Sequence, residues 1–359
     1  GSEVIQESAN YLYKNYKISK VYLGVYLDNT RALRFFKSCG FVIVKKKISN
    51  ADCYKKKIKP RAWFYMCRDY YRSKIAIGTA QLGLNYGITN KSRKIPIIEM
   101  VKIKKLAEKK GINTIETAES YGTSEKCLGK INIKNFKIIT KLPVSLPKKN
   151  IEKWVFKSIK SSIKKLKINK LHGLLIHDTK QLTEKFGNKI YKSLVKAKKQ
   201  NLVDKIGISI YSMKELKLIL SKYKFDIVST PFNIIDQRLK KSGWINKLKK
   251  LKIDIYVRSI FLQGSLLQNK NKRPKIFKRW NKLFNKWDQI VYKSRKSRLE
   301  ICLGFVMKNP EIDKFILGFD SYKQFHELTE KVKPLNISSS SLIASNDTML
   351  INPSNWRLL

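Results

Sequence analysis

Hydrophobic and polar positions along this chain follow two rhythms. Over residues 1–16, Val4, Ala9, Leu12 and Tyr13 recur at helical spacing and predict an amphipathic helix. Val21–Tyr26 (VYLGVY) predicts a strand. Asp28, Asn29 and Thr30 then offer an N-cap for a short helix over Arg31–Cys39, which Gly40 ends. Phe41–Val44 and Trp63–Cys67 predict two further strands, and the Lys-rich stretch between them reads as a loop. A boundary is expected near Tyr70–Ser73, giving domains 1–70 and 71–359. From Lys74 strands and helices alternate. Strands are expected at Ile75–Thr79, Ile112–Glu116, Lys137–Thr140, Gly173–Ile176, Lys205–Ile208, Asp226–Ser229, Asp254–Val257 and Phe315–Leu317. The clearest helix is Ile151–Leu166, with Ile151, Trp154, Val155, Ile159, Ile163 and Leu166 on one face and lysines on the other. Eight strands alternating with helices predict an α/β fold, a (β/α)8 TIM barrel. A doubly wound sheet is the rival, disfavoured because no G-x-G-x-x-G follows the first strand.

Composition narrows the function classes. Hydrophobic content of 43% supports a sizeable core. No apolar run reaches the roughly 18–20 residues of a membrane span, and no basic start followed by an apolar run marks a signal peptide. Residue 1 is Gly, so Gly1-Ser2 reads either as an expression scar or as the edge of a longer chain. The formal charge of +51 would suggest nucleic acid or an anionic surface, but the lysines are spread over the polar side of nearly every helix, alongside many Ile and Asn. That distribution reads as a coding bias, so no specific nucleic-acid partner is expected, only polyanion binding at low salt. The five cysteines, Cys39, Cys53, Cys67, Cys127 and Cys302, form no C-x-x-C pair. They read as free thiols in a cytoplasmic protein without a structural metal.

Candidate chemistry sits at the ends of the expected barrel strands. The second ends at Glu116 with Tyr121 in the following loop, the third at Lys141 (ITKLP) and the fourth at His177 (LLIHD). Within Gly111–Lys130, Ser124 reads as an N-cap with Glu125 in the first helical turn. Each residue has an ordinary explanation alone; delivered by three consecutive strands to one face, they suit carbonyl reduction. A phenol of pKa about 10 needs tuning. A Lys ammonium lowers that pKa, a carboxylate holds the Lys, and an imidazole orients the carbonyl. The hydride must come from a cofactor.

Two stretches resemble known families. LGVYLDNTRALRFFKSCGF (Leu23–Phe41) resembles the C-terminal half of a GNAT-type N-acetyltransferase, covering residues 1–70 as a partial domain. Acetyl-CoA is expected only if that domain is complete, because the family's Gly-rich loop lies upstream of this pattern. Phe36 stands where the family often has a Tyr general acid, so this half is expected to be catalytically silent. Residues 74–359 resemble an aldo-keto reductase through IGTAQLGLNYGI, GINTIETAESYGTSEKCLG, ITKLP, LLIHD, IGISIYS and VRSIFLQGSLL. The resemblance implies Tyr121 as proton donor, Lys141 as its tuner, His177 as orienting donor and Glu116 in place of the family's Asp. It implies NADP as cofactor, with NAD possible. Ser209 and Ser229 would face the nicotinamide amide, the latter where a Gln is usual. Ser259, Phe261, Leu262 and Gly264 belong to the pyrophosphate loop, and Gly318 and Ser321 to the adenosine-phosphate site, where the usual Arg is missing. Asn233 would line the substrate pocket. LINPSNW (Leu350–Trp356) resembles the end of members associated with surface-polysaccharide clusters, which suggests a sugar or nucleotide-sugar carbonyl as the small-molecule partner. The alternatives are an NADPH-binding barrel with weak catalysis in a partner or sensor role, motivated by Glu116 and the missing Gln, a bifunctional acetyltransferase-reductase, and a polyanion binder. Oligomeric state is left open, and no membrane partner is expected.

Overall fold

The computed structural model of the chain describes residues 1–49, 61–90 and 93–358. Cys53 and part of the Lys-rich stretch lie outside the described residues. The chain forms two compact units, Gly1–Ile75 with Lys102–Asn113, and Ala76–Val101 with Thr114–Leu359. Against the expected division at 70/71, the first unit runs on to Ile75 and takes in residues 102–113.

In the first unit a helix over Ser2–Tyr16 precedes strands β1 (Lys20–Tyr26), β2 (Val42–Ser49) and β3 (Arg61–Asp69). They form an antiparallel sheet in the order β1-β3-β2. The helix between β1 and β2 spans Thr30–Ser38, and Asn29 caps it by accepting from Ala32 N–H at 2.9 Å. Val25, Cys39, Phe41 and Met66 form the core, with Phe36 packed against them. The strand after Gly40 runs longer than the hydrophobic pattern showed: Lys45, Lys46 and Lys47 pair with Tyr65, Phe64 and Trp63. Ladder hydrogen bonds come from the backbone, and lysines on an edge strand discourage further pairing, so a polar run here is still strand.

The second unit is the barrel. Strands β4 (Ile75–Gly78), β5 (Thr114–Glu116), β6 (Lys137–Lys141), β7 (Leu171–Ile176), β8 (Val203–Ser209), β9 (Ile227–Pro231), β10 (Asp254–Arg258) and β11 (Lys314–Leu317) close into a ring. All register pairs between neighbouring strands among the described residues are parallel. Ala76, Ile139, Leu175, Ile227, Tyr256 and Ile316 meet inside it, so the interior is filled rather than open. The helix at Ile151–Leu166 forms as its periodicity predicts, burying Ile151, Val155, Ile159 and Leu166. Each buried aliphatic side chain there contributes about 1.5–3 kcal/mol. No helix among the described residues is long and apolar enough to cross a membrane. Among them, no group of three His, Cys, Asp or Glu side chains is placed to hold a metal ion.

Candidate active site

The site is assembled at one rim of the barrel, where strands end on polar residues. Glu116 closes β5, Lys141 closes β6, His177 follows β7 directly and Arg258 closes β10. Tyr121 comes from the turn after β5. That turn is held by Tyr121 N–H donating to Ala118 O and Ser124 N–H donating to Tyr121 O, each at 3.1 Å. Gly83 lies against it: a Cβ there would stand 1.7 Å from Tyr121 O. Ser124 is not the expected N-cap. Thr123 holds that place, and Ser124 is the first helical residue, its hydroxyl buried 2.9 Å from Thr79 Oγ1 and 3.0 Å from Thr117 Oγ1. The Ser124 side chain therefore ties the turn to β4. Glu125, expected in a first turn, is buried and accepts from Thr140 Oγ1 at 2.8 Å, with Lys165 3.5 Å away.

Lys141 is the hub. Its buried ammonium donates to a Glu116 carboxylate oxygen, to Thr117 O at 3.0 Å and to Tyr121 Oη at 2.9 Å. An ammonium has three donors, and all three are used. Since Lys141 can only donate, the phenol oxygen must accept, and the phenol hydrogen is left for another acceptor. His177 meets the Tyr121 ring edge-on, 6.1 Å between centroids, and its Nδ1 lies 3.0 Å from Ser120 Oγ.

Burial dominates the electrostatics. The Tyr121 phenol is pushed well above its ordinary value by burial and then by Glu116, while Arg258 pulls it down. Lys141 is lowered by burial against the opposing pull of Glu116. His177 is brought down to about 3, by burial first and then by the charges of Lys141 and Arg258. Burial thus outweighs the cations around the phenol. The Lys141 charge is paired with Glu116, and Arg258 is a further cation that lowers Tyr121.

These groups open into a cavity of about 340 Å3 that extends to Gly318, Asp320 and Gln324. Its wall after β10 is unusual backbone. Ser259, Leu262 and Gln263 take φ of 58°, 48° and 50°, and Gly264 takes 86°. Left-handed conformations in non-glycine residues cost about 1–2 kcal/mol each, so contacts must hold them. Ile88 N–H donates to Gln263 Oε1 at 3.1 Å, Thr89 Oγ1 donates to Gln263 O at 3.0 Å, and Asn233 Nδ2 donates to Ser259 O at 2.9 Å. A Cβ on Gly264 would fall 2.0 Å from Thr89 Oγ1.

Residues 74–346 match the Aldo/keto reductase family. This chain belongs to that family. It is therefore an oxidoreductase. Among solved structures, the holo form of an aldo-keto reductase from Bacillus halodurans aligns with TM-score 0.60 at 15% identity, covering 75% of this chain and 90% of that one. The glycerol dehydrogenase of Gluconobacter oxydans aligns with TM-score 0.59 at 17% identity, covering 78% and 92%. At these identities the likeness is one of fold. No curated protein matches this chain. The family match leaves residues 1–73 outside it.

Within this aldo/keto reductase the expected residues divide. Glu116, Tyr121, Lys141, His177, Ser209, Ser259, Phe261, Gly264 and Gly318 all line the cavity. Four others do not. Ser229 shares the face of Ile227 and its registered partner Ser209, but it is fully buried within β9 and outside the cavity lining. Asn233 is also buried, its Oδ1 accepting from Ile235 N–H at 2.9 Å and Asp236 N–H at 2.8 Å, so it locks the loop and lies outside the cavity lining. Leu262 is fully buried behind the loop wall. Ser321 caps the helix Tyr322–Glu330 by accepting from Gln324 N–H at 3.3 Å. Sequence reading passed over Gln81, Tyr86, Tyr211, Arg258, Gln263, Asp320 and Gln324, which line the cavity. Arg258 was findable by the strand-end rule that selected Lys141; Tyr211, two residues past β8, was not.

Proposed function

We propose that this aldo/keto reductase reduces an aldehyde or ketone with a nicotinamide dinucleotide, Tyr121 giving the proton to the carbonyl oxygen. The observation that carries the reading is the Lys141 ammonium, whose three donors are spent on Glu116, Thr117 O and Tyr121 Oη. That arrangement aims the phenol's hydrogen away from Lys141 and leaves the ammonium in place to stabilise the phenolate left behind. In the tautomer that accepts from Ser120 Oγ at Nδ1, 3.0 Å away, the neutral imidazole carries its hydrogen on Nε2 and can donate to the same carbonyl. The hydride, which no side chain can give, would come from a bound dihydronicotinamide. The cavity fits such a group. Ser209 and the Ser259–Gly264 backbone, with Phe261, Gly318 and Gln324, would hold it, and Gly318 leaves room that a Cβ 3.0 Å from Gln81 Nε2 would take.

Asp320 bears on which dinucleotide is used. It lines the cavity, and burial raises its carboxyl above the usual range. A carboxylate suits a ribose diol and repels a 2′-phosphate. The reading therefore favours NADH over the NADPH that the resemblance implies. Titration by fluorescence quenching should give tighter binding of NADH, and Asp320→Asn should narrow the difference; equal affinities in the wild type would remove this assignment.

Purified protein should turn over members of a carbonyl panel that includes sugar and nucleotide-sugar carbonyls, and Tyr121→Phe should abolish turnover while still quenching reduced nucleotide. Intact turnover in Tyr121→Phe would remove the proposed donor. Against the sensor reading, the longer Glu116 side chain reaches Lys141, and only Ser229 in the usual Gln position still motivates it. For the N-terminal part, the domain reading is of a module spanning residues 1–70, to which no acetyl transfer is assigned. Phe36 packs against its core and 5.5 Å from the Phe41 ring, and has no proton to give.

A further inference from the structure

We infer that the substrate of this site carries a carboxylate, and that Arg258 is the residue that binds it. The inference rests on the carbonyl-reductase reading above and names its substrate class. Arg258 closes β10, lines the cavity with Tyr121 and His177, and stacks on Tyr211, 4.1 Å from guanidinium carbon to ring centre. Its Nη2 donates to Ile210 O at 2.9 Å. A guanidinium has five N–H donors in a planar fork; besides the bond to Ile210 O, Arg258 hydrogen-bonds the Tyr211 side chain, which leaves donors over, and no ion pair engages it among the described residues. The neighbouring charges do not neutralise it. Lys141 and Glu116 match each other, and His177 is neutral. The unmatched cation is felt around the cavity: it is the leading cause that pulls the Tyr211 phenol down, and it also lowers Tyr121 and His177.

An enclosed, unpaired guanidinium is costly unless something anionic meets it. Stacking on Tyr211 and the bond to Ile210 O fix the plane of the fork, which is the preparation that bidentate carboxylate binding needs. The dinucleotide's phosphates are the other anions at hand. Arg258 acts on Tyr121 and Glu116, the groups at the reacting carbonyl. The nicotinamide end of a dinucleotide carries no phosphate, so the substrate is the source that fits.

The test pairs charge with its absence. Oxo acids whose carbonyl stands one to four carbons from the carboxylate are assayed beside their methyl esters, which are neutral. In the wild type the best-placed acid should exceed its ester in kcat/KM by tenfold or more. In Arg258→Met the acid-to-ester ratio should fall to near one, and Arg258→Lys should recover part of it. A purely structural role would shift the melting temperature and both substrates together, leaving the ratio as it was. A wild-type ratio near one, or a ratio unmoved by Arg258→Met, overturns the assignment, as does a loss confined to reduced-nucleotide binding, which would give Arg258 to a phosphate. Calorimetry separates failure of this inference from failure of the reductase reading. If no carbonyl is turned over, butanoate but not butanamide should still bind wild-type protein, and binding should weaken tenfold or more in Arg258→Lys. Absence of butanoate binding overturns the site whether or not the enzyme is active.

Discussion

Lys141 and Glu116 are the residues on which the site's energetics turn. Both are nearly inaccessible, so removing one leaves the other charge buried and unpaired. Lys141→Met should destabilise the fold by about 3–5 kcal/mol, read as a drop in denaturation midpoint, besides abolishing turnover. Glu116→Asp draws the carboxylate back by over ~1 Å and should lower kcat by ten- to a hundredfold on the order of a small misplacement; a rise in kcat would show that the chain tolerates Glu116 at a catalytic cost. The pH dependence follows from two depressed or raised groups. His177 is neutral above about 3 and Tyr121 stays protonated well past its ordinary value. The reductive kcat/KM should therefore be flat from about pH 5 to 9, without the step near 6.5 that an ordinary histidine would give. Stability has a sign as well. Below its ordinary value the unfolded chain's histidine takes a proton that folded His177 refuses until about 3, so this contribution declines as pH falls from about 6.5 towards 3. His177→Gln should flatten that slope in a chemical-denaturation series. Glu116, Lys141 and His177 could be read as sharing one rim because they sit at strand ends, and Tyr121 because it lies in the turn after β5. Asn233 lies outside the cavity lining because turn hydrogen bonds hold it, and Ser229, though in register with Ser209, because it is fully buried; residue type alone fixes neither.

At the level of elements, the turn carrying Tyr121 depends on Gly83 as much as on its own sequence. Gly83→Ala would set a methyl against Tyr121 O, which stands 1.7 Å from the required position. The turn must shift, at about 1–3 kcal/mol of stability and a large fall in kcat, with nucleotide quenching retained. Wild-type kcat in this variant would show that Tyr121 is positioned by something other than this packing. All eight barrel strands were readable from apolar runs, with ends that differ by a residue or two. Their closure in sequential order follows from alternating strands and helices. Less could be read where backbone and side chain disagree. The Lys45–Lys47 stretch is strand despite its polarity, and Ser124 looks like a cap but serves as a tie. Nothing in SIFLQG announces a left-handed run, because three of its non-glycine residues adopt that conformation only under the hold of Ile88, Thr89 and Asn233.

For the whole molecule, charge and chain order set the behaviour. A formal +51 predicts retention on an anionic resin such as heparin that falls steeply as salt rises, without preference among nucleic-acid sequences. Sequence-selective binding that survives at 0.5 M salt, roughly five times the strength at which the Debye length is about 10 Å, would require a dedicated interface. The fold class followed from the strand–helix rhythm alone. The extent of the cavity did not, because its walls are gathered from far along the chain: Ile88 and Gln263 are 175 residues apart when they bond. Gly78, at the end of the first barrel strand, lies against Leu317 of the last, where a Cβ would meet Leu317 O at 3.1 Å. During synthesis, then, Tyr121 and Lys141 leave the ribosome long before the loop after β10 and the residues around Gly318 that complete their cavity. On the proposed reading, a nascent barrel lacking β11 would hold Tyr121 and Lys141 without the Gly318 wall of the dinucleotide cavity. Nucleotide capture is thus a marker of the finished ring, usable to time the last step of folding in translation-arrested chains.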